Sequence, residues 1–179
     1  MATTTKGEAA MTTTTITATY ELKNVKIAEW ASEETTCFDA TLYINGKRIG
    51  TCGNDGQGGC NRYDFNTSSI VNDCAEWLWN EHVAMCEQYG FDIGSRDDFN
   101  ADPDTLINAL IDQHYIVKDV KSYAKSLRKK YNFNDASNLR IYTDGTKMFA
   151  CFVGSEQEAK IIAENPNATI APTSATLTI

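Results

Sequence analysis

The stretch from Thr36 to Phe65 most constrains what this chain can fold into. Phe38, Ala40, Leu42 and Ile44 alternate with Asp39, Thr41 and Tyr43, the period-two pattern of a strand with one buried face. Asn45-Gly46 follows, and a two-residue hairpin turn of type I′ needs positive φ at both central positions, which this pair tolerates well. Lys47 to Gly53 is then the return strand. Asn54 to Gly59 has the composition of a loop, with Gly56, Gly58 and Gly59 open to backbone angles that side chains forbid. Cys60 to Phe65 reads as a short strand or extended segment that opens onto a helix.

Upstream, residues 1–15 are rich in Thr and Ala and are expected to be disordered. Ile16, Ala18, Tyr20 and Leu22 mark another half-buried strand, and Val25, Ile27 and Trp30 extend its apolar series. Downstream, Asn66, Thr67, Ser68 or Ser69 can cap a helix over about 69–89, with Ile70, Cys74, Trp77, Leu78 and Met85 on one side and Gly90 at its end. Trp30, Trp77, Trp79 and Tyr89 read as core, although Trp77 and Trp79 cannot face the same way on a helix and one of them is expected to be exposed.

Asp102-Pro103 opens a helix carrying Leu106, Ile107, Leu110 and Ile111, and a further helix over about 116–131 buries Val120, Tyr123, Ala124 and Leu127. Leu139 to Tyr142 and Lys147 to Phe152 form a second hairpin around Asp144-Gly145. Ser155 and Glu158 form a capping box, each able to bond the other's amide, for a short helix through Ala163. Asn167 to Ile179 is a final strand or an extended tail. This order of elements predicts an α+β fold, a mainly antiparallel sheet with helices packed on one face. The expected organisation is one domain over residues 16–170 with a tail at 171–179.

The formal charge of −8 argues against a protein that coats nucleic acid, which must displace counterions with its own cations. The charge is nevertheless segregated. From Asp73 to Asp112 ten carboxylates, among them Asp97 and Asp98, face Arg96 alone. Lys118, Lys121, Lys125 and Arg128 then recur at three- and four-residue steps on one helix face, with Lys129 beside them. The acidic segment can imitate nucleic acid toward a basic enzyme, and the basic stripe can grip phosphates. Alternatively, both are solvated faces, with cations favoured near a helix C-terminus.

The opening of the chain lacks the continuous apolar core of a signal peptide, so Cys37, Cys52, Cys60, Cys74, Cys86 and Cys151 are expected to be reduced, in a cytoplasmic protein, as small buried hydrophobes. No Cys-x-x-Cys and only His82 and His114 argue against zinc. No cofactor is expected: the glycine loop fits neither the Walker loop nor the dinucleotide fingerprint, nor an EF-hand. It is either an anion nest, assisted by Asn61 and Arg62, or a wide hairpin connection. Cys60, ahead of Arg62, is a candidate nucleophile with His82 as its base. No apolar run reaches the length needed to cross a bilayer.

Tyr43-Ile44-Asn45-Gly46-Lys47, Asn54-Asp55-Gly56, Gly58-Gly59-Cys60-Asn61 and the later stretch Phe149 to Ser155 resemble segments of small uncharacterised proteins from phages, prophages and their bacterial hosts. The resemblance implies a mobile-element setting, in which small acidic proteins inhibit host defence nucleases, CRISPR effectors included. Two functions are therefore carried forward. The first, and preferred, is a non-enzymatic inhibitor that binds a host nuclease or nuclease–nucleic-acid complex. Its partner contacts would be Asn54, Asp55, Gly56, Gly58, Gly59, Asn61, Arg62, Tyr63, Asp97 and Asp98, with Lys118, Lys121, Lys125, Arg128 and Lys129 facing nucleic acid. The second is a small thiol-dependent or anion-binding enzyme centred on Cys60 and Arg62.

Overall fold

The computed structural model describes residues 17–132 and 138–179; the expected disordered start and Ile16 lie outside the described residues. In chain order these residues form strands β1 (Thr19–Ile27), β2 (Phe38–Ile44), β3 (Lys47–Asn54) and β4 (Arg62–Tyr63), then helices α1 (Thr67–Asp73), α2 (Ala75–Tyr89) and α3 (Pro103–Tyr131). Strands β5 (Leu139–Thr143) and β6 (Met148–Phe152), helix α4 (Glu156–Glu164) and strands β7 (Thr169–Ile170) and β8 (Thr176–Thr178) complete the fold. The fold is α+β with antiparallel pairing throughout, in a five-stranded sheet of order β4-β3-β2-β1-β8 and a three-stranded sheet of order β6-β5-β7.

The first hairpin forms as its sequence dictates. Asn45 and Gly46 have φ of 51° and 76°, and β2 and β3 pair from Ile44↔Lys47 to Phe38↔Asn54. Alternation then sends Tyr20, Leu22, Phe38, Ala40, Leu42 and Cys52 to one face of the large sheet. There they meet Ile70, Cys74 and Leu78 and the α3 residues Leu106, Ile107, Leu110 and Ile111. The end of the chain, left open between strand and tail, supplies β8, which pairs with β1 from Thr19↔Thr178 to Glu21↔Thr176.

Several helical expectations are corrected. The helix expected over 69–89 is two, broken at Cys74 (φ −117°, ψ 19°), whose thiol bonds the Ile70 carbonyl at 3.0 Å. Thr67, Ser68, Ser69, Asn72 and Asp73 are weak helix formers, so the break costs little and lets Ile70, Cys74 and Leu78 all reach the core. Cys86 is buried where Met85 was expected, and Met85 is exposed. Conversely, the two helices expected between 103 and 131 are one of 29 residues. Its polar stretch Asp112-Gln113-His114 contains neither Gly nor Pro and therefore does not stop it. This stretch instead marks the handover from the large core to a second cluster of Val120, Ile141 and Ala171 under the small sheet.

The second unit is anchored by a charge. Ser155 caps α4 by accepting from the Glu158 amide at 3.2 Å, but Glu158 does not return the bond to Ser155 as a capping box would. Glu158 is only 8% exposed, and its carboxylate instead accepts from the Gly154 amide (2.6 Å), the Tyr142 hydroxyl (2.8 Å) and Arg140 (2.9 Å), tying α4 to β5. Those donors hold the Glu158 carboxyl below the usual glutamate range, the Gly154 amide first and the Tyr142 hydroxyl next.

Candidate functional site

The glycine loop between β3 and β4 is tied into the body of the protein. Asn54, 4% exposed, is its hub. The Asn54 Oδ1 accepts from Thr35 Oγ1 (2.6 Å) and the Gly56 amide (2.8 Å), and its Nδ2 donates to the Gly59 carbonyl (3.2 Å) and Asn61 Oδ1 (3.1 Å). The Gly56 carbonyl accepts from the amides of Glu33 and Glu34, both at 2.9 Å. At φ 87° Gly56 is also the position where a Cβ would run into the Ala31 carbonyl oxygen, so glycine is required there for space as well as for angle.

This geometry divides the sequence-predicted contact residues. Asn54, Gly56 and Asn61 are buried in the loop's own framework, and the Gly56 and Gly58 amides already bond Asn54 and Thr35 rather than standing free for an anion. Asp55, Gly59 and Arg62 are exposed; Gly58 and Tyr63 are half-buried. The glycines thus shape a connection packed against residues 31–35.

Beside that connection, the first turns of α3 and the Glu34 to Thr36 segment enclose a cleft of about 270 Å³. Asp104 is fixed by Asn61 and Tyr63: its Oδ2 accepts from the Asn61 amide at 2.9 Å and its Oδ1 from the Tyr63 hydroxyl. Burial, and then that carboxylate, push the Tyr63 hydroxyl pKa far up, so Tyr63 keeps its proton. Asn61 Nδ2 donates to Asn108 at 3.3 Å, linking the loop to the next turn of α3. Glu34 and Asp112 also line the cleft, and neither has a cationic partner among the described residues. Partial burial pushes the Asp112 carboxyl up. The cleft is rich in acceptors and suited to cationic or hydrogen-bond-donating groups.

Trp30 stands at the edge of this region. The sequence placed it in the core, yet it is 90% exposed, on a short 3₁₀ turn (Glu29–Ala31) whose Ala31 abuts the Gly56 loop. The apolar series Val25, Ile27, Trp30 misled because strand β1 ends at Ile27, and the change of direction turns the indole outward. The neighbouring Glu29, Glu33 and Glu34 are the signal that could have revealed it. Tyr89 is likewise outside the core, 63% exposed. Trp77 packs against the large core, whereas Trp79 meets the Phe99 ring edge-on at 5.3 Å and His82 at 5.7 Å, so neither is the exposed member of the pair.

Asp97 and Asp98 occupy an exposed 3₁₀ turn (Arg96–Asp98) capped by Ser95. Arg96 is engaged by a two-pronged pair with Glu76, leaving Asp97 and Asp98 without a cation among the described residues. His82 does not serve Cys60. Its Nε2 lies 3.1 Å from the Ile93 carbonyl and 3.6 Å from the Cys86 sulfur, on α2.

Of the six thiols expected to be buried, Cys52, Cys74, Cys86 and Cys151 are, whereas Cys37 is half-buried and Cys60 is exposed. No hydrogen-bonded base stands beside it among the described residues. Burial pushes the Cys52 thiol up to about 12 and the Cys74 thiol to about 11, so both stay protonated.

Of the basic stripe, Lys118 pairs with Glu29 at 3.0 Å, while Lys121, Lys125, Arg128 and Lys129 are exposed and carry no salt bridge among the described residues. No group of three or more His, Cys, Asp or Glu side chains able to hold a metal occurs among the described residues, and no described helix is long and apolar enough to cross a membrane. Compared with known protein families, curated proteins and solved structures, the chain matches none.

Proposed function

We propose that this protein is a binding protein that docks on a basic surface of a nucleic-acid-handling enzyme, a host defence nuclease such as a CRISPR effector, and blocks it. The observation that carries the reading is Trp30, an indole 90% exposed on the turn whose Ala31 packs against the Gly56 loop. Hydrated apolar area of this size is favourable to bury, and tryptophans ringed by polar groups are frequent anchors of binding energy. Glu33, Glu34 and Asp55, close in the chain or packed against the same loop, and Asp112 in the cleft carry no salt bridge among the described residues. They would steer a basic partner and offer acceptors to its Lys or Arg side chains, whereas Glu29 is already paired with Lys118. Asp97 and Asp98 extend the negative field on their exposed turn.

The test is a capture from host lysate, treated with added nuclease to remove nucleic-acid tethers, followed by the cleavage activity of the captured enzyme with and without this protein. The expected result is a nucleic-acid-cleaving enzyme whose activity falls, with capture lost in Trp30→Ala and weakened in Glu33→Gln/Glu34→Gln. Because Trp30 touches little, Trp30→Ala should keep the wild-type melting temperature. Undiminished capture by folded Trp30→Ala, or a captured protein whose activity is unaffected, overturns the reading.

A further inference from the structure

Two cavities run end to end along one side of α3. The first, of about 460 Å³, lies between His114, Lys118 and Lys121 of the helix and the segment Thr173 to Ala175. The second, of about 370 Å³, lies between Lys121, Ala124 and Arg128 and the segment Ile170 to Thr173. Lys121 and Thr173 line both, so they form one groove with α3 as one wall and residues 170–175 as the other.

His114, Lys121 and Arg128 recur at seven-residue steps, about two helical turns each, and so stand in a line at the groove's edge spanning about 21 Å. Lys121 and Arg128 have no carboxylate within ion-pair reach among the described residues. The other charges facing the groove are compensated: Lys118 by Glu29, Arg140 by Glu158, and Glu21 by Lys23 at 3.2 Å. Toward Arg128 the floor turns apolar, with Val120, Ala124, Ile141 and Ala171, and Ile170 is 57% exposed at its rim.

We infer that this groove binds a single-stranded segment of nucleic acid, its phosphates on Lys121 and Arg128 and its base faces on the apolar floor. The floor is aliphatic, with no Phe, Tyr or Trp among the lining residues, so bases would meet it by apolar contact rather than ring stacking. A duplex keeps its base faces stacked inside and cannot make that contact, whereas a single strand can. The inference deepens the docking reading by naming what the basic side of the molecule meets while the acidic side faces protein.

The test is fluorescence anisotropy of an end-labelled oligothymidylate with the full chain at low salt. Saturable binding is expected. Lys121→Ala/Arg128→Ala should weaken it about tenfold or more and flatten the log–log salt slope by about 1.4, since each single-strand phosphate contact contributes about 0.7. Lys47→Ala/Arg48→Ala removes equal charge from exposed positions on β3, none of whose residues lines the groove, and should cost twofold or less. Absence of binding, an equal loss in the two double variants, an equally tight duplex of the same length, or displacement by polyglutamate as effective as by unlabelled oligonucleotide at equal charge would each overturn the inference. No protein partner is in the assay, so its failure leaves the acidic docking surface standing, and failure of the capture experiment leaves the groove standing.

Discussion

The two sheets are held by different physics. The large sheet rests on a contiguous cluster of thirteen buried apolar residues drawn from β1, β2, β3, α1, α2 and α3. The small sheet rests on two clusters of three buried residues each, and its helix is fastened by one buried carboxylate with three hydrogen-bonded donors. Apolar burial is additive and non-directional, so the large unit tolerates local change until volume is lost. A small polar network is all-or-none, because a half-satisfied buried charge is worse than none. The same contrast separates the two candidate surfaces: the acidic cleft and Trp30 stand on the large unit, whereas one wall of the basic groove is built from the small one.

The largest expected effect breaks the large unit. Leu42 is fully buried, and Leu42→Ala should cost about 2–5 kcal/mol in urea unfolding, the usual range for a core leucine with its cavity. A loss below 1 kcal/mol on that scale would mean that the cluster is not what holds the sheet. Next, two glycines in this unit separate angle from space. Gly46→Ala meets no atom within 4 Å and should cost about 1–2 kcal/mol for the left-handed backbone alone. Gly56→Ala adds the collision with Ala31 and should cost clearly more in the same assay; equal costs would show that the loop is not packed against residues 31–35.

The smallest effect on global stability, and the sharpest on the contrast, belongs to Glu158. Because its folded carboxyl is held below the ordinary value of 4.5, its contribution is complete above that value and is lost as pH falls through the lower folded value. Hydrogen exchange should therefore show β5 and α4 loosening in acid while β2 stays protected. Glu158→Gln should show the loosened pattern already at neutral pH. Simultaneous loss of protection in both sheets would remove the distinction between them.

The legibility of the chain follows the range of the forces involved. The Asn45-Gly46 hairpin, the Asp102-Pro103 helix start, the Gly90 stop and the Leu106 to Ile111 core stripe were readable because each is set within a few residues, by φ preference, capping or periodicity. The break at Cys74 and the unbroken α3 were not, since neither has a Gly or Pro signal and both depend on which core each turn must reach. Of the site, the loop's residues were readable, but its being tied down by Asn54, Thr35, Asp104 and Asn108 was not, because its partners lie far apart in sequence, up to 47 positions for Asn61 and Asn108.

Sequence alone determined an α+β chain with two Gly-turn hairpins and opposed charge along its length, because turn geometry, alternation and charge are carried by neighbouring residues. Only tertiary structure decided that Trp30 faces water, that the glycines are pinned, and that Lys121 and Arg128 overlook a groove closed by residues 170–175. Exposure and enclosure are properties of what else packs nearby, and no local pattern in a chain records its distant neighbours.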